Sequence, residues 1–345
     1  MKGGEEILKI LAGPLRGVLE RAACSFEGLQ ELKLRAGKPF LCQYEGQEYG
    51  FLENGTLVPM GGEVYRRFSP GREEVLQSLR KVSEREVRET LEYAGSYSLY
   101  AYEEELRQGF LTVQGGHRIG LAGKAVLDGG KIRTLKYISF LNIRLAHQVK
   151  GCAKALLPYL YDGKRIRSTL IISPPGFGKT TLLRDMIRLI SDGTDGYAGV
   201  TVGVADERSE LAACYQGIPQ NDVGVRTDVL DACPKAQGLF MLIRSMSPQV
   251  VAADEIGSDE DVLAVKKAAC CGCSVLATAH GASVAEIRGK PSLESLFKEG
   301  IFERYILLGQ RNEKGKKVGQ VLEIFGQDGK KVPALEDERK GGETL

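Results

Sequence analysis

The stretch Ile171-Ile172-Ser173-Pro174-Pro175-Gly176-Phe177-Gly178-Lys179-Thr180-Thr181 decides the reading of this chain. Ahead of it and into it runs Thr169–Ile172, apolar and β-branched. That composition predicts a central parallel strand, because a strand buried on both faces loses the alternation of polar and apolar residues. The glycines, Lys179 and Thr180 then form a phosphate-binding loop. Successive backbone N–H groups of such a loop point inward at phosphate oxygens, the Lys reaches the β- and γ-phosphates, and the Thr hydroxyl ligates Mg²⁺. Leu182, Leu183, Met186, Ile187 and Ile190 follow at helical spacing. The helix they predict turns its positive N-terminal end toward the same anion. Ser173 stands where GxxxxGK[ST] begins with Gly. The expectation is a nucleotide-driven machine that uses ATP and Mg²⁺, with Ser173 to Thr181 as its cradle.

Other predicted strands end in polar groups. Ser247-Pro248-Gln249-Val250-Val251-Ala252-Ala253-Asp254-Glu255 is an apolar run closed by two acids. In a nucleotide-hydrolysing domain the first acid holds the metal, and the next orients or deprotonates the attacking water. Asp254 takes the metal role and Glu255 the base role. Val202-Gly203-Val204-Ala205 leads into Asp206-Glu207-Arg208, which would face the same phosphates. Asp206 is therefore a second metal candidate, and Glu207 is held in reserve as the base. A further strand runs through Cys273 to Ala277 and ends at His280, a residue able to sense a phosphate through a hydrogen bond. Arginines matter because phosphoryl transfer spreads charge over equatorial oxygens. Arg208, Arg226 and Arg244 are candidates in this half; Arg118, Arg133 and Arg144 are candidates in the first half.

Composition bounds the alternatives. A chain of 345 residues, 43% hydrophobic, has room for about two domains. Its net charge of +2 argues against a strong nucleic-acid binder. The opening MKGGEEILKILAGPLRG carries early acids and is broken by Gly and Pro, unlike a signal peptide. No apolar run approaches the roughly 18 residues of a spanning helix. A cytoplasmic protein with reduced thiols is expected. Cys270-Cys271-Gly272-Cys273 lacks a second pair to complete a zinc site, so these thiols are expected to pack at a helix–strand junction.

Residues 1–150 read as an α+β domain. A helix is expected over Glu5–Ala23, with further helices over Glu73–Leu79, Glu84–Tyr93 and Tyr97–Arg107. Tyr97, Tyr100 and Tyr102 are expected in packing. Short strands intervene, ending with Phe110–Gln114, His117–Ala122, Lys124–Asp128 and Lys131–Arg144. Residues 151–330 alternate strand and helix, which predicts a mostly parallel doubly wound sheet with ligands at the strand C-termini. Residues 331–345 read as a charged, fraying tail.

Several segments carry a resemblance. LIRSMSPQVVAADEIGSDEDVLAVKKAACCGCSVLATAHG looks like the region from metal-binding acid to histidine box in type II/type IV secretion ATPases, and ADERSE resembles their acidic box. Within that superfamily the chain most resembles the stage III sporulation AA family, through ELKLRAGKPF, YSLYAYEEELRQGFLTVQGGHRIGLAGKAV, ISFLNIRLAHQVKG and SPPGFGKTTLLRD. The resemblance implies a RecA-like P-loop ATPase domain behind a smaller N-terminal domain that closes over the nucleotide and mediates assembly. It implies a homo-oligomeric, hexameric ring at the inner face of the mother-cell membrane. Its partners there would be membrane proteins of a sporulation channel between mother cell and forespore. It places catalytic roles on Lys179, Glu255, Glu207, Arg208, Arg244 and His280, and metal roles on Thr180, Asp254 and Asp206. Arg118 and Arg144 are the nucleotide-contacting candidates of the first domain. Two other readings stay open: a nucleic-acid-stimulated ATPase, and a scaffold that binds nucleotide but hydrolyses little.

Overall fold

The computed structural model describes residues 4–61, 72–95, 106–107, 109–309 and 320–333. Most of the helix expected over Tyr97–Arg107, with its three tyrosines, lies outside these residues, as does the tail beyond residue 333. Two compact units divide the chain. One is Met1–His147 with Ala213–Gln220, and the other is Gln148–Ala212 with Asn221–Leu345. The short segment Ala213–Gln220 thus joins the first unit, although it lies well inside residues 151–330.

The first unit is an antiparallel sheet with grouped helices. Its strands are β1 (Leu29–Arg35), β2 (Leu41–Tyr44), β3 (Gln47–Phe51), β4 (Leu57–Pro59), β5 (Phe110–Val113), β6 (His117–Asp128) and β7 (Lys131–Arg144), in the order β4-β3-β2-β1-β7-β6-β5. The expected N-terminal helix is two helices, Gly4–Ile10 and Gly13–Arg21, because Gly13-Pro14 cannot continue the first and instead begins the second. Helix Glu84–Ala94 starts with reciprocal capping: Ser83 Oγ accepts from the Glu86 amide, while Glu86 accepts from the Ser83 amide. Leu32, Leu34, Phe40, Ile119 and Ile143 meet helix residues Ile7, Leu15 and Val87 in one core. The two strands expected at His117–Ala122 and Lys124–Asp128 are one strand with a register shift at Gly123. A Cβ there would lie 2.7 Å from the Lys136 carbonyl oxygen, so only Gly fits this close approach.

The second unit carries the predicted parallel sheet. Its main strands are β10 (Thr169–Ser173), β11 (Val202–Asp206), β12 (Thr227–Asp231), β13 (Val250–Ala253), β14 (Ser274–His280), β15 (Arg304–Gly309) and β16 (Gln320–Gly326). A small hairpin, β8 (Tyr161–Asp162) and β9 (Arg165–Ile166), precedes them. The order is β12-β11-β13-β14-β10-β15-β16, parallel except for the last pair. Edge strands β12 and β16 have no counterpart in the sequence reading, for β12 is half-buried along its whole length and shows no apolar alternation. On one face, Leu170, Ile172, Val251, Ala253, Val275 and Ala277 share a core with helices Lys235–Met246, Asp259–Cys270 and Pro291–Lys298. The intervening Ile171, Ala252 and Leu276 are also buried, so both faces are covered. That double burial is why β10 and β13 read as continuous apolar runs. Strand order matters most for function: β14 lies between β13 and β10, which brings His280, Asp254 and the loop after Ser173 to one edge.

Candidate nucleotide site

The loop after β10 turns through Gly176 and Gly178, both at φ 78°, a region that side chains with a Cβ adopt only under strain. Gly178 caps the helix Lys179–Asp192. The first amides of a helix have no partner within it, so this terminus offers N–H donors to an anion. All five predicted apolar positions of the helix are buried. Lys179 is buried too. Its Nζ donates to the Ser173 and Pro174 carbonyls at 3.2 Å each and lies 2.9 Å from His280 Nδ1. Burial lowers the pKa of its ammonium, while the Glu255 and Asp254 carboxylates work in the opposite direction.

Asp254 leaves the tip of β13 between two hydroxyls. Thr180 Oγ1 donates to Oδ2 at 2.5 Å, and Thr278 Oγ1 donates to Oδ1 at 2.5 Å. Glu255 follows at φ 54°. Its Oε1 lies 2.7 Å from His280 Nε2, and its Oε2 accepts from Arg208 Nη1 at 3.0 Å. Neither acid caps the next helix. Ser258 and Asp261 do that in a capping box of their own, which leaves Asp254 and Glu255 for the edge of the sheet. A cleft lined by Asp206, Glu207, Arg208, Glu210, Lys235, Asp254 and Glu255 opens beside them.

Asp206 is placed differently from the expectation of a metal ligand. It is buried, and its two oxygens accept the amides of Glu210 and Ala212 at 2.9 and 2.8 Å. Burial pushes its carboxyl above the ordinary aspartate value despite those amides. In this structure Asp206 holds the turn that follows it. Glu207 also lines the cleft, where it pairs with Lys235 at 2.5 Å. Arg244 is not brought to the cleft. It is exposed in the last turn of Lys235–Met246, just ahead of the N-terminal end of β13, whereas the phosphate loop lies at the C-terminal ends. Arg226 bonds the Ser191 and Asp192 carbonyls at the end of the loop helix. Arg118 and Arg144 belong to the first unit. They are opposite each other across β6 and β7; Arg118 lies over the Phe110 ring, and Arg144 is 3.5 Å from Glu31. Cys270 and Cys271 are exposed, so the expected packing holds only for Cys273, which donates to the Pro248 carbonyl.

Two contributors escaped the sequence reading. Arg184, on the loop helix, is buried enough that desolvation lowers its pKa, and it donates to the Leu211 and Glu210 carbonyls. Thr278 bridges the acids. The sequence carries it in the run Thr278-Ala279-His280, where the expected role falls on the histidine alone.

The donor set fits a Mg–nucleotide. Mg²⁺ takes hard oxygen donors and is commonly held by one or two carboxylates together with substrate phosphates. Asp254 and Thr180 supply such oxygens, and Lys179 supplies a cation beside them. Among the described residues no group of three or more His, Cys, Asp or Glu could hold a metal by itself. No helix among them is long and apolar enough to cross a membrane.

Known proteins supply four likenesses. The family described as Sporulation stage III, protein AA, matches residues 69–332. Stage III sporulation protein AA of Bacillus subtilis (strain 168) is 45% identical over 325 residues, 94% of this chain and 95% of that protein. Protein SEEDLING PLASTID DEVELOPMENT 1 of Arabidopsis thaliana is 28% identical over 184 residues, 53% of this chain and 25% of that protein. Among solved structures, the pilus retraction motor PilT with bound ADP superposes with a TM-score of 0.53 at 15% identity, over 82% of this chain and 75% of that one. That likeness concerns fold alone: a RecA-like sheet domain that follows an N-terminal sheet domain in the chain.

Proposed function

The chain belongs to the Sporulation stage III, protein AA family, and on that premise we propose that it is an ATP-hydrolysing motor whose copies close into a hexameric ring. In this reading the ring works at the cytoplasmic face of the mother-cell membrane, held there by membrane proteins. It drives a channel complex between mother cell and forespore. The observation that supports hydrolysis is the meeting of Lys179, Thr180, Asp254, Glu255 and His280 at adjoining strand tips.

Lys179 and the loop amides bind the phosphates. Thr180 and Asp254 would hold Mg²⁺, which when bound supplies neutralisation of charge on the phosphoryl oxygens. Glu255 orients the attacking water and takes its proton at a carboxylate oxygen. His280 and Arg208 hold that carboxylate from either side. Lys235 engages Glu207, which favours Glu255 as the base.

The test is ATP turnover by the purified full chain with Mg²⁺, alongside its size with and without ATP. Turnover that rises with assembly is expected, and added single-stranded DNA should leave it unchanged. DNA stimulation with strong salt dependence would favour a nucleic-acid motor. Nucleotide binding with less than one turnover per assembled ring would favour a scaffold.

A further inference from the structure

We propose that Thr278 is a positioning residue that ties the metal-binding carboxylate to the water-activating one. The inference rests on the ATPase reading above. Thr278 is fully buried on β14, beside β13. Its hydroxyl donates to Asp254 Oδ1 at 2.5 Å and accepts the Glu255 amide at 2.8 Å. Its carbonyl accepts the amide of Ile256 at 2.9 Å. One residue therefore grips the peptide groups on both sides of Glu255.

A hydroxyl has a single proton. Donating it to Asp254 leaves a lone pair for the Glu255 amide, so each bond sets the direction of the other. Glu255 requires this grip. At φ 54° it occupies the left-handed region, where a residue with a Cβ is strained. The strained turn aims its carboxylate back at His280, 2.7 Å away. On the other side, Asp254 is held at both oxygens, by Thr180 and by Thr278. The side chains that would hold the metal and activate water are thus positioned by one shared hydroxyl.

Thr278→Val keeps the shape and removes the hydroxyl; Thr278→Ser keeps the hydroxyl and removes the methyl. Binding of a fluorescent ATP analogue to the full chain is measured with and without Mg²⁺, and kcat and KM are measured separately. For Thr278→Val, metal-free binding should stay within about two-fold of wild type. The tightening by Mg²⁺, and kcat, should each fall about 10–100-fold, as when the partners that orient metal ligands are lost. Thr278→Ser should restore both. A valine variant with wild-type Mg²⁺ dependence and kcat overturns the inference, as does a serine variant as impaired as valine. If Thr278→Val does not fold, Thr278→Cys, a similar volume with a weak donor, replaces it under the same criteria. Wild-type protein that neither binds nor turns over nucleotide overturns the parent reading, and this inference with it.

Discussion

Lys179 Nζ lies 2.9 Å from His280 Nδ1, joining the phosphate loop to the tip of β14. An ammonium only donates, so Nδ1 is the acceptor in this contact and Nε2 is left for Glu255. Nε2 faces Glu255 Oε1 at 2.7 Å. The order is Lys179, His280, Glu255, and the imidazole links the loop to the carboxylate. His280→Ala should therefore lower turnover by about 10–100-fold, in line with loss of an orienting partner. Nucleotide affinity should stay close to wild type. Steady-state kinetics beside equilibrium nucleotide binding checks this, and unaltered kcat would remove His280 from the mechanism.

Lys179→Met should abolish turnover and weaken nucleotide binding without lowering the melting temperature of the nucleotide-free protein. The physical reason is the burial of the ammonium, which depresses its pKa in the folded state. Just below the ordinary lysine value the unfolded chain then binds more protons, so stability contributed by this group rises with pH there. At neutral pH the buried charge opposes folding. A methionine of similar length relieves that cost. Thermal melts of both proteins from pH 7 to pH 10 give the comparison.

Glu255→Gln should cut kcat by about 10²–10⁴-fold, the usual contribution of a general base, and retain Mg–nucleotide binding. Glu207→Gln should do much less, because Glu207 engages Lys235 instead of the acid pair. Equal losses in both variants would shift the base role away from Glu255.

Asp185→Asn should destabilise the second unit by about 2 kcal/mol at pH 7, the scale of hydrogen bonds to a buried charge. Asp185 accepts the Ala153 amide at 2.8 Å and pairs with Arg188 at 2.7 Å. Burial pushes its carboxyl up. The amides of Ala153 and Gly151 and the Arg188 guanidinium outweigh that, so the carboxyl sits below the ordinary aspartate value. A depressed folded value means stability is present above the ordinary value and is lost as pH falls through the folded one. Urea unfolding at pH 7 and at pH 3 should show a large difference between wild type and variant at pH 7 and a smaller one at pH 3.

Alkylation should reach Cys270 and Cys271 first. Both are exposed at the end of the helix Asp259–Cys270. Cys152 is exposed as well, yet partial burial and Asp185 push its thiol up to about 11, and burial pushes Cys42 up to about 12. Thiolate is the reactive form. Brief iodoacetamide treatment followed by peptide mass spectrometry should find Cys152 and Cys42 unmodified when the other two are labelled.

Legibility followed the range of the forces involved. The helix after the loop was readable because its five apolar positions repeat at helical spacing and all are buried. β10 and β13 were readable because burial on both faces leaves unbroken apolar runs. β12, half-buried throughout, carried no such pattern. The break at Gly13-Pro14 is written in the residues, although the expected helix over Glu5–Ala23 runs through it.

From residues alone came the chemistry of the loop, the apolar strands that end in acids, and the alternation that makes a parallel sheet. These depend on near neighbours, through backbone torsion, side-chain period and capping. Only the folded chain decided that Asp206 holds its own turn, that Arg244 stands away from the cleft, and that Thr278 and His280 reach the acids. Those outcomes depend on which strand lies beside which. Lateral pairing joins segments far apart in the chain through backbone hydrogen bonds that any residue can make, so no local pattern records them.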